Sequence, residues 1–272
     1  RGRTGRKVRS MMGKIIVCGS QKGGVGKTVT TLNLAYAMAT LGKKVLAVDF
    51  DSQGNLSTCL GIENTGAEER TIGQLMMAEL EDEPVEDISS YIQNKNGVDF
   101  IPANIYLSVV DAKLRLEMGA EKMLSNILEP LKNQYDYILV DTCPSLGSLT
   151  INALAAADEV IIPVNPQLLA MMGLQEFIKV VNKIRHRVNP KIKIAGILLT
   201  MCDARTNLCK VLTEEVKENF REQIPVFESF IPATVKVGEA VYYNMAIEQY
   251  SAKSAAGAAY KNLAKEIMKY EG

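Results

Sequence analysis

The stretch Gln21-Lys22-Gly23-Gly24-Val25-Gly26-Lys27-Thr28 constrains this chain more than any other. An apolar run, Ile15-Ile16-Val17-Cys18, precedes it and predicts a parallel strand buried on both faces. The residues that follow, Thr30 to Ala39, have helical spacing, with apolar side chains at 34, 37, 38 and 41. Glycine tolerates the backbone conformations that turn successive N–H groups inward on an anion. The helix adds the positive end of its dipole. In such a loop the backbone of Gly23 to Val29 cradles phosphates, Lys27 places a point charge near the β- and γ-phosphates, and Thr28 offers its hydroxyl to magnesium. The bland alternative is a glycine-rich surface turn before an ordinary helix. Gly-Lys-Thr between a strand and a helix argues against it.

Two further apolar runs end in carboxylates. Val45-Leu46-Ala47-Val48-Asp49 leads into Phe50-Asp51-Ser52-Gln53-Gly54-Asn55, and Tyr135-Asp136-Tyr137-Ile138-Leu139-Val140-Asp141 leads into Thr142-Cys143-Pro144-Ser145-Leu146-Gly147. Parallel sheets gather their ligands at the carboxyl ends of strands, where these aspartates fall. Alone, the first pair reads equally well as caps for the next helix. Asp141 alone is an ordinary strand ending; beside a phosphate loop it reads as a holder of the magnesium water shell.

Together these segments resemble the ParA/MinD class of P-loop ATPases. Lys22-Gly23-Gly24-Val25-Gly26-Lys27-Thr28 resembles the class's deviant Walker A loop, 49–55 its switch I (D-x-D-P-Q-G-N) and 141–147 its switch II (D-x-P-P-S-L-G). The resemblance covers essentially residues 12–270. It implies one doubly wound, mainly parallel α/β sheet flanked by helices, with ATP and Mg2+ as cofactors. It further implies a sandwich homodimer on ATP binding, in which Lys22 reaches the partner's phosphates and Asp51 aligns the attacking water and approaches magnesium. ParA/Soj relatives move plasmids or chromosomes with a ParB-like centromere-binding protein and hold double-stranded DNA non-specifically. The implied enzyme is slow until its partner stimulates it, and associates with the nucleoid when ATP-bound. Three departures stand out: Ser52 and Cys143 replace prolines, and Val29 replaces a threonine whose hydroxyl contacts the α-phosphate. Losing that hydroxyl costs about 1 kcal/mol if nothing replaces it.

Composition narrows the alternatives. No apolar run approaches the ~18–20 residues of a membrane span. A MinD-like positioning ATPase, acting at a membrane or protein surface without DNA, is the other reading; the sequence to Gly272 shows no basic, aromatic extension of the kind that would dock on lipid, so no membrane partner is expected. Cys18, Cys59, Cys143, Cys202 and Cys209 have no paired spacing, which fits a reduced, cytoplasmic setting and no zinc site. His186, set among Lys183, Arg185 and Arg187, reads as solvated. Lys and Arg balance Asp and Glu at 31 each, yet residues 1–11 carry Arg1, Arg3, Arg6, Lys7 and Arg9 and no acid. A basic arm is a possible DNA contact. Met12-Gly13-Lys14 looks like the domain's start, so 1–11 reads as a leader or added arm and 12–272 as the ATPase domain.

The remaining chain alternates strands and helices. Residues 63–96 are acidic and read as irregular, with a helical piece near 72–77 covering a sheet edge. A strand at 98–102, helices at 109–118 and 121–131, a helix at 149–154, a strand at 159–164, a helix at 173–187 and a strand at 192–200 follow. Val226 to Ile231 reads as the last strand, 232–240 as a loop and 255–270 as the final helix. Only Asp203 of a guanine-reading Asn-Lys-x-Asp pattern is present, so adenine is expected, with Met201 and Pro232 against the base. Arg205, Lys210, Lys217 and Lys236 are the candidate DNA contacts, each weighed against ordinary solvated charge.

Overall fold

The computed structural model describes residues 12–62, 70–167, 170–203, 205–220 and 224–269. The basic arm at 1–11 lies outside them. Among the described residues seven strands form one sheet: β1 (Lys14–Cys18), β2 (Val45–Phe50), β3 (Gln93–Lys95), β4 (Val98–Ile101), β5 (Tyr137–Thr142), β6 (Glu159–Val164) and β7 (Lys193–Leu199). Their spatial order is β3-β4-β2-β5-β1-β6-β7, parallel except for the antiparallel β3–β4 pair. Cys18 pairs with Asp141, and Asp49 with Asp141, so three strand ends meet at one level.

The strand runs read as continuous apolar sequence because both faces are covered. Ile15, Val17, Leu46, Val48, Ile138 and Val140 face one core; the alternate residues Ile16, Val45, Ala47, Tyr137 and Leu139 face the other. The first core packs under α3 (Ile72–Leu80), α4 (Tyr106–Leu114), α5 (Met123–Leu128), α6 (Ser148–Ala156), α7 (Ala170–Arg187) and α8 (Asn207–Phe220). The second packs under α1 (Lys27–Thr40), α2 (Asn55–Cys59), α9 (Val235–Tyr242), α10 (Ile247–Tyr250) and α11 (Ala255–Lys269). This is the doubly wound sheet expected from the sequence.

Several local expectations are corrected. Residues 93–101 form a hairpin through Asn96 (φ 56°) and Gly97 (φ 84°), the Asn-Gly pairing that suits a tight two-residue turn. The helix at 72–80 opens on a Thr71/Gln74 capping box and packs on the face it shares with Phe50 and Ile101, not along an edge. The helix read at 109–118 begins and ends about one turn earlier, at Tyr106 and Leu114, and α5 is short, flanked by 3-10 turns. Val226 to Ile231 follows β7 without becoming a strand. Phe227 N–H donates to Ile197 O at 3.0 Å and Ile231 N–H to Leu199 O at 2.8 Å, and pairing lapses between them. The expected loop at 232–240 holds α9, whose N-cap Thr234 accepts from Lys236 N–H. Helix α8, unmarked in the sequence reading, covers the first core with Val216 and Phe220.

Candidate functional site

The phosphate loop emerges from β1 and closes at the start of α1. Gly24 (φ 70°) and Gly26 (φ 84°) adopt left-handed conformations that disfavour a side chain. No side chain caps α1, so its first N–H groups remain donors for an anion. Lys27 is buried, and its ammonium folds back to Lys22 O at 3.3 Å. Three neighbours hold the loop's shape. The Thr200 hydroxyl, at the end of β7, donates to Val25 O at 2.8 Å. The Thr31 hydroxyl donates to Lys27 O at 3.1 Å. Pro144 of the expected switch II sits 3.8 Å from where a Cβ on Gly23 would stand.

The deviant lysine behaves differently from its neighbour. Lys22 is half-exposed, and its ammonium reaches outward to Gln167 Oε1 at 3.1 Å. The two cations of the loop therefore diverge, one inward and one outward.

Asp49 and Asp51 are both buried at the end of β2. Asp49 Oδ2 accepts from Ser57 N–H at 2.8 Å and from the Ser57 hydroxyl at 2.7 Å, while its Oδ1 accepts Asp51 N–H at 3.2 Å. Asp51 Oδ1 accepts Gln53 N–H at 3.0 Å. Burial pushes the Asp49 carboxyl up to about 6, against the bonds from Ser57 and Asp51 that favour its ionised form. Asp141 is fully buried, and neither carboxylate oxygen has a hydrogen-bond partner of ordinary geometry. Burial first, then the Asp49 charge, raise it well above the usual carboxylate range; the Thr28 hydroxyl and Lys27 beside it oppose that rise.

A buried carboxylate with orphaned oxygens calls for an explanation. Beside Thr28 and the loop it fits a hydrated magnesium ion, which takes one or two carboxylates plus substrate phosphates. Among the described residues no three His, Cys, Asp or Glu side chains converge as a metal cage.

The other sequence-predicted residues are placed as follows. Met201, at φ 53°, brings its Cε to 3.7 Å from a Cβ position on Gly26, so it does border the loop. Pro232 pairs with Cys202, next to Met201, through a bridge that includes Cys202 N–H to Ile231 O at 3.0 Å. Val29 is half-buried and packs on the second core. Arg205 is tied to its own loop, its guanidinium meeting Asp203 at 2.9 and 3.0 Å. Lys217 pairs with Glu214 at 3.2 Å, and it shares with Lys210 a groove of about 750 Å3 beneath α8. Lys236 stands on α9 and donates to Ser251 Oγ at 3.4 Å. The cysteines with no paired spacing include one pair in space: burial and the adjacent Cys209 thiol push Cys202 up to about 12.

Sequence reasoning gave Asp49 no role of its own and passed over Ser57 and Thr200. Asp49-x-Asp51 followed by a serine in the next helix turn was the available signal; nothing local pointed to Thr200, which arrives from β7.

Comparison with known proteins follows the same lines. A protein-family profile described as "AAA domain" matches residues 13–194. The chain is 42% identical to the sporulation initiation inhibitor protein Soj of Bacillus subtilis, over 94% of this chain and 98% of that protein. It is 37% identical to the chromosome partitioning protein ParA of Myxococcus xanthus, over 97% and 91%. A crystal structure of cobyrinic acid a,c-diamide synthase from Mycobacterium smegmatis, with bound ADP and magnesium, superposes with a TM-score of 0.82 at 30% identity, covering 96% of each chain. With the looped phosphate cradle, its outward second lysine and three carboxylates at adjoining strand ends, the chain belongs to the ParA/Soj family of P-loop ATPases.

Proposed function

We propose that the chain is a magnesium-dependent ATPase whose ATP-bound sandwich dimer holds DNA non-specifically and drives partitioning of a DNA cargo. The divergence of Lys22 and Lys27 carries this reading: the Lys27 ammonium turns in on its own loop, where it would meet the chain's own phosphates, and the Lys22 ammonium turns outward to Gln167 Oε1, from where it would swing to a second copy. The relatives named Soj and ParA, and the ADP and magnesium in the neighbouring structure, support the nucleotide and the task.

The loop N–H groups from Gly23 to Val29 would bind the phosphates, with Lys27 against the β- and γ-phosphates. When bound, magnesium would supply positive charge against the charge that grows on the phosphate oxygens. Thr28, Asp141 and Asp51 would hold it, the last two through water. Asp51 orients the attacking water in line with the γ-phosphorus, and Lys22 from the partner subunit stabilises the charge that develops in the transition state. Met201 and Pro232 flank the adenine. Turnover is slow, and a ParB-like centromere-binding protein accelerates it. Arg205, Lys210, Lys217 and Lys236 lie on the DNA side of the dimer, where phosphate contacts are salt-dependent and blind to sequence.

The test is binding to duplex DNA of arbitrary sequence with ATP, ADP or no nucleotide at two salt concentrations, with and without residues 1–11. ATP-dependent, salt-sensitive binding that survives removal of the arm is expected. ATP hydrolysis with no ATP-enhanced DNA binding would replace this reading with a MinD-like positioning ATPase.

A further inference from the structure

One buried amide joins the helix behind the phosphate loop to a segment near the other end of the chain. Asn33 lies in the second turn of α1 and is almost wholly buried. Its Nδ2 donates to Val29 O at 2.7 Å, and its Oδ1 accepts the N–H of Ile247, 214 positions away, at 2.7 Å. Val29 closes the run of loop residues read as the phosphate cradle, and Ile247 opens α10.

The chain from Pro232 to Ser251 runs as a strap between two anchors. At the first, Pro232 bridges Cys202 and Ala233 N–H donates to Cys202 O at 3.1 Å, next to Met201 at the border of the loop. The second anchor is Asn33. Between them α9 and α10 are tied together. The Tyr250 hydroxyl donates to Glu239 Oε2 at 3.0 Å, Met245 N–H to Ala240 O at 2.9 Å and Lys236 Nζ to Ser251 Oγ at 3.4 Å. The pose of α9 therefore follows that of α10. Its outer face presents Val235, Lys236 and Tyr242 to solvent.

The ordinary account treats the two bonds of Asn33 separately. Side chains often bond back to the carbonyl four residues earlier in a helix, and a buried N–H takes whatever acceptor the fold offers. It leaves out that one amide makes both bonds. Donor and acceptor share a rigid plane, so the position of Val29 O sets the direction of the acceptor offered to Ile247. The N–H of Thr30 donates to Gly26 O at 2.9 Å, which leaves those of Lys27, Thr28 and Val29 ahead of the helical pattern. No side chain caps them, so an anion in the loop is what steadies this turn. A second contact to the strap lacks that link: the Thr40 hydroxyl reaches Glu248 Oε2 at 3.4 Å from the last residue of α1.

We propose that Asn33 is a positioning residue that couples the phosphate loop to the α9–α10 strap. Phosphate on the first turn of α1 steadies Val29 O, the Asn33 amide passes that order to Ile247 N–H, and the pose of Lys236 follows. The coupling is reciprocal, so an ordered strap favours nucleotide by the same factor. Only the use made of Lys236 rests on the partitioning reading.

The test is hydrogen–deuterium exchange of the amides of 235–250 in the full chain, with ADP and magnesium or without nucleotide. ADP is the probe because its phosphates reach the loop while the sandwich dimer is assigned to ATP, so protection is not taken from a dimer face. In the wild type ADP should slow exchange at 247–250 and across α9 roughly five-fold, the worth of one hydrogen bond. Asn33→Leu should bring that ratio to about one, with ADP affinity lower by no more than about five-fold. Thr40→Val, which loosens the strap without touching the amide, should keep the wild-type ratio. Asn33→Asp keeps an acceptor for Ile247 N–H and loses the donor to Val29 O. It should protect the strap equally with and without ADP, and it carries the test if Asn33→Leu fails to bind ADP.

ADP-dependent protection that persists in Asn33→Leu, or a wild type without it, overturns the proposal. Equal loss in Asn33→Leu and Thr40→Val makes the amide one structural tie among several and overturns it too. Duplex-DNA binding with a non-hydrolysable ATP analogue reads the partitioning side separately. Coupling in the exchange data with no ATP-enhanced DNA binding upholds Asn33 and overturns the partitioning reading. ATP-enhanced DNA binding that Asn33→Leu keeps in full overturns the link from Asn33 to Lys236.

Discussion

Asp49 and Ser57 form the hub of switch I: the serine gives both its N–H and its hydroxyl to one carboxylate oxygen, and the hydroxyl also accepts Ala103 N–H at 3.0 Å. One buried side chain thus joins the end of β2, the helix α2 and the connection between β4 and α4. Asp51 is held on the same carboxylate through its own N–H.

Ser57→Ala leaves the Ala103 N–H unpaired and removes one bond from Asp49. The expected cost is about 1–3 kcal/mol of stability, with kcat reduced and nucleotide affinity little changed. Thermal melts and steady-state ATPase assays check this; unaltered melting with unaltered kcat would show that the hub does not position switch I.

Asp51→Ala is expected to bind ATP and accumulate the ATP-bound dimer, with hydrolysis down roughly 10²-fold or more. Light scattering beside single-turnover hydrolysis reads both. A fast monomeric hydrolase would remove Asp51 from the role given to it.

Lys22→Ala keeps the inward-facing cradle, so nucleotide binding persists. Partner-stimulated turnover should fall roughly 10²–10³-fold, as when one transition-state donor is lost. Stimulation equal to the wild type's would rule out a lysine acting across the dimer.

Thr200→Val removes the bond to Val25 O without changing side-chain shape. About 1 kcal/mol of loop order is at stake, or roughly a five-fold weaker ATP affinity, measurable by titration calorimetry. Equal affinity would mean that the loop keeps its form without β7.

Without metal or nucleotide, Asp49 makes stability pH-dependent. Its folded value of about 6 lies above the ordinary 3.8, so on raising the pH the unfolded chain gives up this proton first. Its contribution is fully present below about 4 and is lost as pH rises towards 6, a change of about 3 kcal/mol. Asp141 shifts in the same direction. In EDTA, Asp49→Asn should therefore gain in melting temperature relative to wild type between pH 4 and 6.5. A constant difference across that range contradicts the assignment.

Much of this protein was written locally. A strand, a loop rich in glycine and a helix follow from residue periods and backbone freedom within about thirty positions, and so do Lys27, Thr28 and the aspartates ending β2 and β5. Asn96-Gly97 and Thr71-Ile72-Gly73-Gln74 were local signals too, overlooked among acidic residues. What the tertiary structure alone decided are relationships across strands. Thr200 reaches Val25 because β7 ends beside the loop, and the Cys202 and Cys209 thiols meet because α8 folds back over the end of β7. Val226 to Ile231 has a strand's composition, yet it makes only one isolated bridge to β7, between Val226 and Ile197. Which charges remain free was equally unreadable: Arg205 was a candidate DNA contact and is held by Asp203. Sequence spacing sets which side chains share a strand or helix face, but partners hundreds of positions apart are chosen by which strands lie side by side, and that is settled only when the sheet is assembled.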